Sequence, residues 1–127
     1  MLSKAQVVKV RKALEGLYIG KATVVVKEEY ERTNGSMGFC DKTILENEPC
    51  RVSYKDVSQA NNDGTVATTQ QVIKLFLAPE HDIPRGSKII VEQNGRTNKY
   101  VRSGKPAIYE THQEIILEEF EGGRNEC

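Results

Sequence analysis

The sequence predicts a mainly β fold, a small antiparallel β-barrel of about six strands with a short N-terminal helix and one long loop. Three observations predict it. Residues 86–120 place a β-branched, apolar run (Ser87–Gln93) before Asn94-Gly95, the strongest short hairpin signal, return as a second strand (Arg96–Arg102), and resume as a third. Apolar residues elsewhere alternate at the strand period, as in Ile73, Leu75 and Leu77, with Lys74 on the other face. The apolar fraction is 38% and the charged fraction 28%, a balance that suits a thin barrel with much surface, or a subunit that completes its burial in an assembly. With 127 residues the chain is read as one domain, 1–127, large enough to bury a core.

The elements follow in order. Residues 3–14 form a helix: Ser3 caps it, Gln6 completes a capping box, and Gly16 stops it. Val7, Val10 and Leu14 recur at helical spacing and are expected to pack on the barrel, while Lys4, Lys9, Arg11 and Lys12 fill the rest of the surface and are candidates for docking a neighbouring subunit. A DNA-reading helix would want an aromatic or amide readout set, which is missing here. Residues 18–30 form a strand centred on Thr23-Val24-Val25-Val26, and its polar continuation through Arg32 is expected to project as an exposed ribbon before a turn at 34–38. Strands at 43–45 and 50–54 follow, interrupted by Asn47-Glu48-Pro49, since proline cannot donate to a ladder.

Residues 56–70 carry neither a charge cluster nor an apolar period and are predicted to be a flexible loop. A strand resumes at Thr69 or Gln70 and ends at Ala78-Pro79, and 80–86 connect it to the hairpin. In that hairpin Asn94 and Gly95 fit a type I′ turn, which needs positive φ at both positions and sets Ile89 opposite Tyr100. Gly104 and Pro106 break the returning strand, and 107–120 form a last strand bulged near 110–112, ahead of a flexible tail at 122–127.

Charge and chemistry exclude more than they assign. Lys plus Arg and Asp plus Glu cancel at 18 each, so net charge points to neither nucleic acid nor membrane. The distribution is uneven: residues 1–27 hold six bases and one acid, and residues 110–127 hold six acids and one base. Such opposed ends suit head-to-tail packing, with Glu114, Glu118 and Glu119 as the acidic docking candidates. Three cysteines (Cys40, Cys50, Cys127) without metal spacing or a leader-type apolar region predict free thiols in a reducing compartment. No apolar run reaches the roughly 20 residues of a membrane span. Glu80-His81-Asp82 and the Glu110, His112, Glu114 alternation read as surface rather than metal ligands, and no nucleotide-binding, hydrolase or metalloprotease motif is present. Catalytic residues, metal and cofactor are therefore all expected to be none, and the chain is expected not to be an enzyme.

Residues 72–120 resemble a family of small structural proteins of tailed bacteriophages of Gram-positive hosts. The likeness lies in Lys74-Leu75-Phe76-Leu77, Ile83-Pro84 with Gly86-Ser87-Lys88-Ile89, Gln93-Asn94-Gly95-Arg96-Thr97, Tyr100, Arg102-Ser103-Gly104-Lys105-Pro106-Ala107, Tyr109 and His112-Gln113-Glu114-Ile115. Tyr18-Ile19-Gly20-Lys21-Ala22 and Leu45-Glu46-Asn47-Glu48-Pro49-Cys50-Arg51 extend it, leaving the 56–70 loop and the termini outside. Within such neck proteins the chain is most similar to the head-closure, or stopper, proteins. That resemblance implies a virion protein made in the host cytoplasm, assembled as a ring (twelvefold by analogy), with an adaptor or portal above and a tail-terminator or tail-completion protein below. It implies, too, that packaged DNA passes through the channel without sequence-specific binding. It also implies that a loop between two early strands reaches into the channel; the matching residues are Ser58, Gln59, Asn61, Asn62, Asp63, Gly64 and Thr65. The alternatives are a head–tail adaptor or tail-completion ring, and a binding module with an SH3- or OB-like barrel and no ring.

Gly95→Val, which forbids positive φ at the turn, is expected to lower the thermal midpoint measured by circular dichroism; an unchanged midpoint would count against the type I′ assignment.

Overall fold

In the computed structural model, which describes residues 2–60 and 67–121, one helix precedes six strands: α1 (Lys4–Glu15), β1 (Gly20–Glu31), β2 (Met37–Ala60), β3 (Ala67–Leu77), β4 (Lys88–Gln93), β5 (Arg96–Ile108) and β6 (Gln113–Glu119). All neighbours are antiparallel in the order β1-β2-β3-β6-β5-β4, and β4 pairs back onto β1, so the sheet closes into a barrel. The meander β4-β5-β6 and the Ile89–Tyr100 pairing are as expected, and Asn94 and Gly95 take φ of 55° and 73°.

β2 corrects the sequence reading. Its 24 residues form one continuous strand where two short strands and a loop were expected. The Asn47-Glu48-Pro49 stretch bends it rather than ending it: the β1–β2 register slips once between Ala22 and Val24 and again between Val24 and Val25, each time with the extra residue on β2. Asn47 sits in the first bulge with φ 51°, a conformation its short polar side chain tolerates, and bulges of this kind bend a strand and increase its twist. The predicted 56–70 loop is likewise mostly strand, because Asp56 pairs with Gln71 and the ladder runs on to Ala60 opposite Ala67. Thr-rich, polar segments lack an apolar period, but the backbone hydrogen bonds of a two-stranded ladder do not depend on one. Residues 61–66, and the predicted tail at 122–127, lie outside the described residues.

Two further boundaries shift. Gly104 and Pro106 do not end β5; they widen the β5–β6 ladder between Ser103 and Ala107, with Gly104 at φ 71°. The expected bulge near 110–112 is instead the β5–β6 turn, closed by the Tyr109 amide donating to the His112 carbonyl at 2.8 Å.

Inside the barrel, Val24, Val52, Leu75, Leu77, Ile89, Val91, Tyr100, Ile115 and Leu117 form one core. Burying an aliphatic side chain of this size is worth about 1.5–3 kcal/mol. The β3–β4 connector plugs one end with Ile83, which is 1% exposed. Polar side chains hold that plug: Gln113 Nε2 donates to the Ala78 and His81 carbonyls at 2.8 and 2.6 Å, and Arg102 Nη1 donates to the Ile83 carbonyl at 2.9 Å.

Closure has one weak point. β1 begins at Gly20, opposite Cys50, so β2 runs on with no β1 beside it. There the Gln93 side chain stands in for the missing strand: the Val52 amide donates to Oε1 at 2.8 Å, and Nε2 donates to the Val52 carbonyl at 3.1 Å. Gly20 makes room for it, since a Cβ there would lie 2.9 Å from Gln93 Oε1 and 3.2 Å from the Cys50 carbonyl oxygen. Gln93→Leu keeps the volume and strands both Val52 groups. It is expected to cost about 1–3 kcal/mol, read as a lower denaturation midpoint in urea; an unaltered midpoint would show that Gln93 does not close the barrel.

Candidate assembly surfaces

Beyond Val25, β1 leaves β4 behind and pairs with β2 alone, so 26–31 and 37–42 project as a two-stranded ribbon. Its turn is tied by Asn34 Oδ1, which accepts from the Ser36 amide at 3.0 Å and the Ser36 hydroxyl at 2.7 Å. Arg32 folds back over the turn, donating to the Met37 carbonyl at 2.8 Å and covering Gly38 so closely that a Cβ would meet the guanidinium at 2.7 Å. At the root, Asp41 accepts from Lys27 at 2.7 Å and Lys88 at 3.3 Å, and the Lys88 ammonium lies 5.3 Å from the Phe120 ring centroid. The Lys27 hydrogen bond, reinforced by Lys88, holds the Asp41 carboxyl below the ordinary aspartate range.

The ribbon's two faces differ. Directly opposed residues share a face, so Glu29 with Phe39 and Glu31 with Met37 make one surface of carboxylates beside apolar groups. Phe39 is 52% and Met37 56% exposed. The other face carries Tyr30 and Glu28, the latter 3.7 Å from Lys42.

α1 has the predicted capping box at Ser3 and Gln6 but buries no residue, which corrects the expected packing of its apolar face. Val7 and Leu14 are half-buried and Val10 is exposed. The helix is held instead by Arg11, whose Nη2 reaches both Glu80 oxygens at 3.0 and 3.1 Å and Glu15 at 3.3 Å. Leu14, Leu17, Tyr18, Phe76 and His112 line a groove of about 210 Å³ beneath its C-terminal end.

The predicted docking residues are not gathered into one place. Arg11 is engaged as above. Glu114 pairs with His112 at 2.9 Å and Lys74 at 3.3 Å, and the His112 hydrogen bond leads in holding its carboxyl below the ordinary range. Glu118 accepts from the Ser103 hydroxyl at 3.1 Å. Lys4, Lys9, Lys12 and Glu119 are exposed. Among the channel-loop residues, Ser58 and Gln59 pair with Thr69 and Thr68 in the β2–β3 ribbon, whereas Asn61, Asn62, Asp63, Gly64 and Thr65 lie outside the described residues.

Titratable groups elsewhere are used structurally. His81 Nε2 meets Glu48 at 2.8 Å, tying the connector to the bulged part of β2. His112 stacks on Tyr109 at 4.8 Å between ring centroids. Cys50 is fully buried, and burial pushes its thiol up to about 12, which keeps it protonated and unreactive. Cys40 is disulfide-bonded, so the expectation of free thiols holds for Cys50 and fails for Cys40. Among the described residues no group of three or more His, Cys, Asp or Glu side chains is arranged to hold a metal ion, and no helix is long and apolar enough to cross a membrane.

No protein-family model and no curated protein sequence matches the chain. Among solved structures it is similar to protein xkdH of the phage-like element PBSX from Bacillus subtilis, with 15% identity and a TM-score of 0.49, over 78% of this chain and 91% of that one. Likeness at that level does not extend to function.

Sequence reasoning expected a projecting ribbon but missed what its outer face carries. The signal was the placement of Met37 and Phe39 two apart, opposite Glu31 and Glu29 across the turn.

The root of the ribbon gives a pH test. The folded pKa of Asp41 lies below its unfolded value, so its contribution is fully present above about pH 4 and is lost as pH falls through the folded pKa. The wild type is therefore expected to lose stability between pH 5 and pH 2 more steeply than Asp41→Asn, as read from thermal midpoints. Parallel profiles for the two proteins would contradict it.

Proposed function

We propose that this chain is a virion structural protein of a tailed phage, and that it acts as a ring in the neck that closes the head after DNA packaging. The observation that carries the reading is β2. At about 3.3 Å per residue its 24 residues have a contour of roughly 80 Å, with a hairpin arm projecting beyond the barrel at each end. Such a molecule is suited to bridging neighbours above and below rather than to enclosing a substrate. The family resemblance of residues 72–120 supports the same assignment.

On this reading the chain is not an enzyme. The side-chain-filled barrel is the rigid body of each subunit, and the β2–β3 ribbon is the arm directed to the DNA channel. The near balance of charge suits a channel wall that lets phosphates slide past without gripping them. An adaptor or portal ring above and a tail component below are the partners this role requires, and assembly places the protein at the head–tail interface.

Electron microscopy of the purified protein mixed with a portal–adaptor complex from a related phage tests it. A ring of this protein seated below the adaptor is expected. A chain that stays monomeric and unbound beside intact connectors would overturn the assignment.

A further inference from the structure

We propose that the edge of β2 beyond Val52 takes an extended segment of a partner protein as an added strand, and that the barrel mouth beside it takes an aspartate or glutamate side chain from that segment. The proposal stands apart from the ring reading and adds a peptide-binding site to the subunit. Two observations support it, one on the backbone and one on the side chains.

The first is the direction of the β2 main chain. The Val52 amide and carbonyl both bond to the Gln93 side chain, so they point away from β3. In an antiparallel ladder the amide and carbonyl of one residue face the same neighbour, and that direction alternates along the strand. The β2–β3 register runs without a slip from Cys50 to Ala60, so the amides and carbonyls of Tyr54 and Asp56 point the same way as those of Val52. Among the described residues nothing pairs with them. The chain ahead of Gly20 does not fill the place, because Leu17 and Tyr18 line a groove with Arg51 and Ser53, which face the other side of the sheet from Val52 and Tyr54. Gln93 shows what this edge accepts. Its carboxamide offers Val52 one acceptor and one donor, as a residue of an adjacent strand would, and a strand continuing from that point would meet Tyr54 and Asp56.

The second observation is the cavity at the mouth beside the β4–β5 turn. It measures about 410 Å³, and Tyr54, Gln71, Arg96, Asn98 and Tyr100 supply most of its polar lining. Arg96 is its one cation and no carboxylate lines it; Asp56, next on the inner face of β2, stands outside. Arg96 forms no ion pair among the described residues. The Tyr54 and Tyr100 hydroxyls bond to each other, which uses one of their protons and leaves the other to donate. Burial, and then that hydrogen bond, push Tyr100 above the ordinary tyrosine range, which keeps it protonated.

Donors gathered around one unengaged guanidinium are matched by a carboxylate, which Arg96 can hold through two parallel hydrogen bonds. A strand laid beside Tyr54 sends every second side chain inward, so one of them reaches this cavity. Main-chain bonds to Tyr54 and Asp56 then supply attachment, and the inward acid supplies specificity.

Nuclear magnetic resonance of the isotope-labelled protein tests this with short, end-capped peptides of alternating threonine and valine whose central residue is glutamate, glutamine or lysine. The glutamate peptide is expected to shift the Tyr54 and Asp56 amide signals and to bind about tenfold more tightly than the glutamine peptide, with lysine weakest. Methylating one alternate set of its backbone nitrogens is expected to abolish binding, and methylating the other set to leave it, since only one set faces β2. Arg96→Gln, with a dispersed spectrum confirming its fold, is expected to level the glutamate and glutamine peptides while both still shift Tyr54 and Asp56. No shift with any peptide at millimolar concentration, indifference to both methylated sets, or a lysine peptide that binds as well as the glutamate one would overturn the site and leave the ring reading in place. Shifts at Tyr54 and Asp56 that appear on concentrating the protein alone would give the edge to a second copy and overturn the partner segment.

Discussion

β2 is hydrogen-bonded to β1 from Met37 to Cys50 and to β3 from Cys50 to Ala60, and this handover at a single residue is the constraint on which the rest of the structure depends. A strand that changes partners in mid-course must bend, and the bend comes from two extra residues on β2, the first with Asn47 in the left-handed region. It must also leave a gap where the first partner has ended and no other strand has arrived. The Val52 backbone lies in that gap, and an unmet amide and carbonyl there would each cost about 1–3 kcal/mol. Gln93 meets both, and Gly20 supplies the space.

The same handover produces the shape that matters for function. Because β2 outruns its neighbours in both directions, the closed barrel carries a two-stranded ribbon beyond each end. Between them the barrel is rigid for ordinary reasons: an apolar core, a plugged end and a ladder whose one gap is filled by Gln93. The β1–β2 ribbon has no core of its own and is shaped by local devices instead, with Arg32 folded over Gly38 and Asp41 clamped between two lysines. Charges along its open edges also discourage indiscriminate strand pairing. Glu29 and Glu31 share a face with Phe39 and Met37.

Much of this was legible in the residues, and the rest was not for identifiable reasons. Ser3 and Gln6 announce the helix, Asn94-Gly95 announces the hairpin, and Ile73, Leu75 and Leu77 announce a strand with one buried face, because each is a short-range rule. The continuity of β2 was hidden. Pro49 and Asn47 resemble strand breakers locally, and only pairing with residues some 20–30 positions away shows that they bend a strand. The pairing of Val57–Ala60 with Ala67–Gln70 was hidden for another reason, since the sequence there has no apolar alternation to detect. The role of Gln93 was beyond sequence logic altogether, as nothing in its neighbourhood reveals that it faces Val52. The docking candidates Arg11 and Glu114 had the right charge for an interface, but tertiary neighbours already engage them.

Amide hydrogen exchange, compared between dilute monomer and assembled protein, tests most directly whether a rigid barrel carries arms that find their partners in assembly. Residues in the doubly paired barrel, with Val52 among them, are expected to exchange slowly in both states, and residues 27–31 and 37–41 only after assembly. Ribbon exchange that is unchanged by assembly, or a Val52 amide that exchanges as fast as an open edge, would contradict this picture.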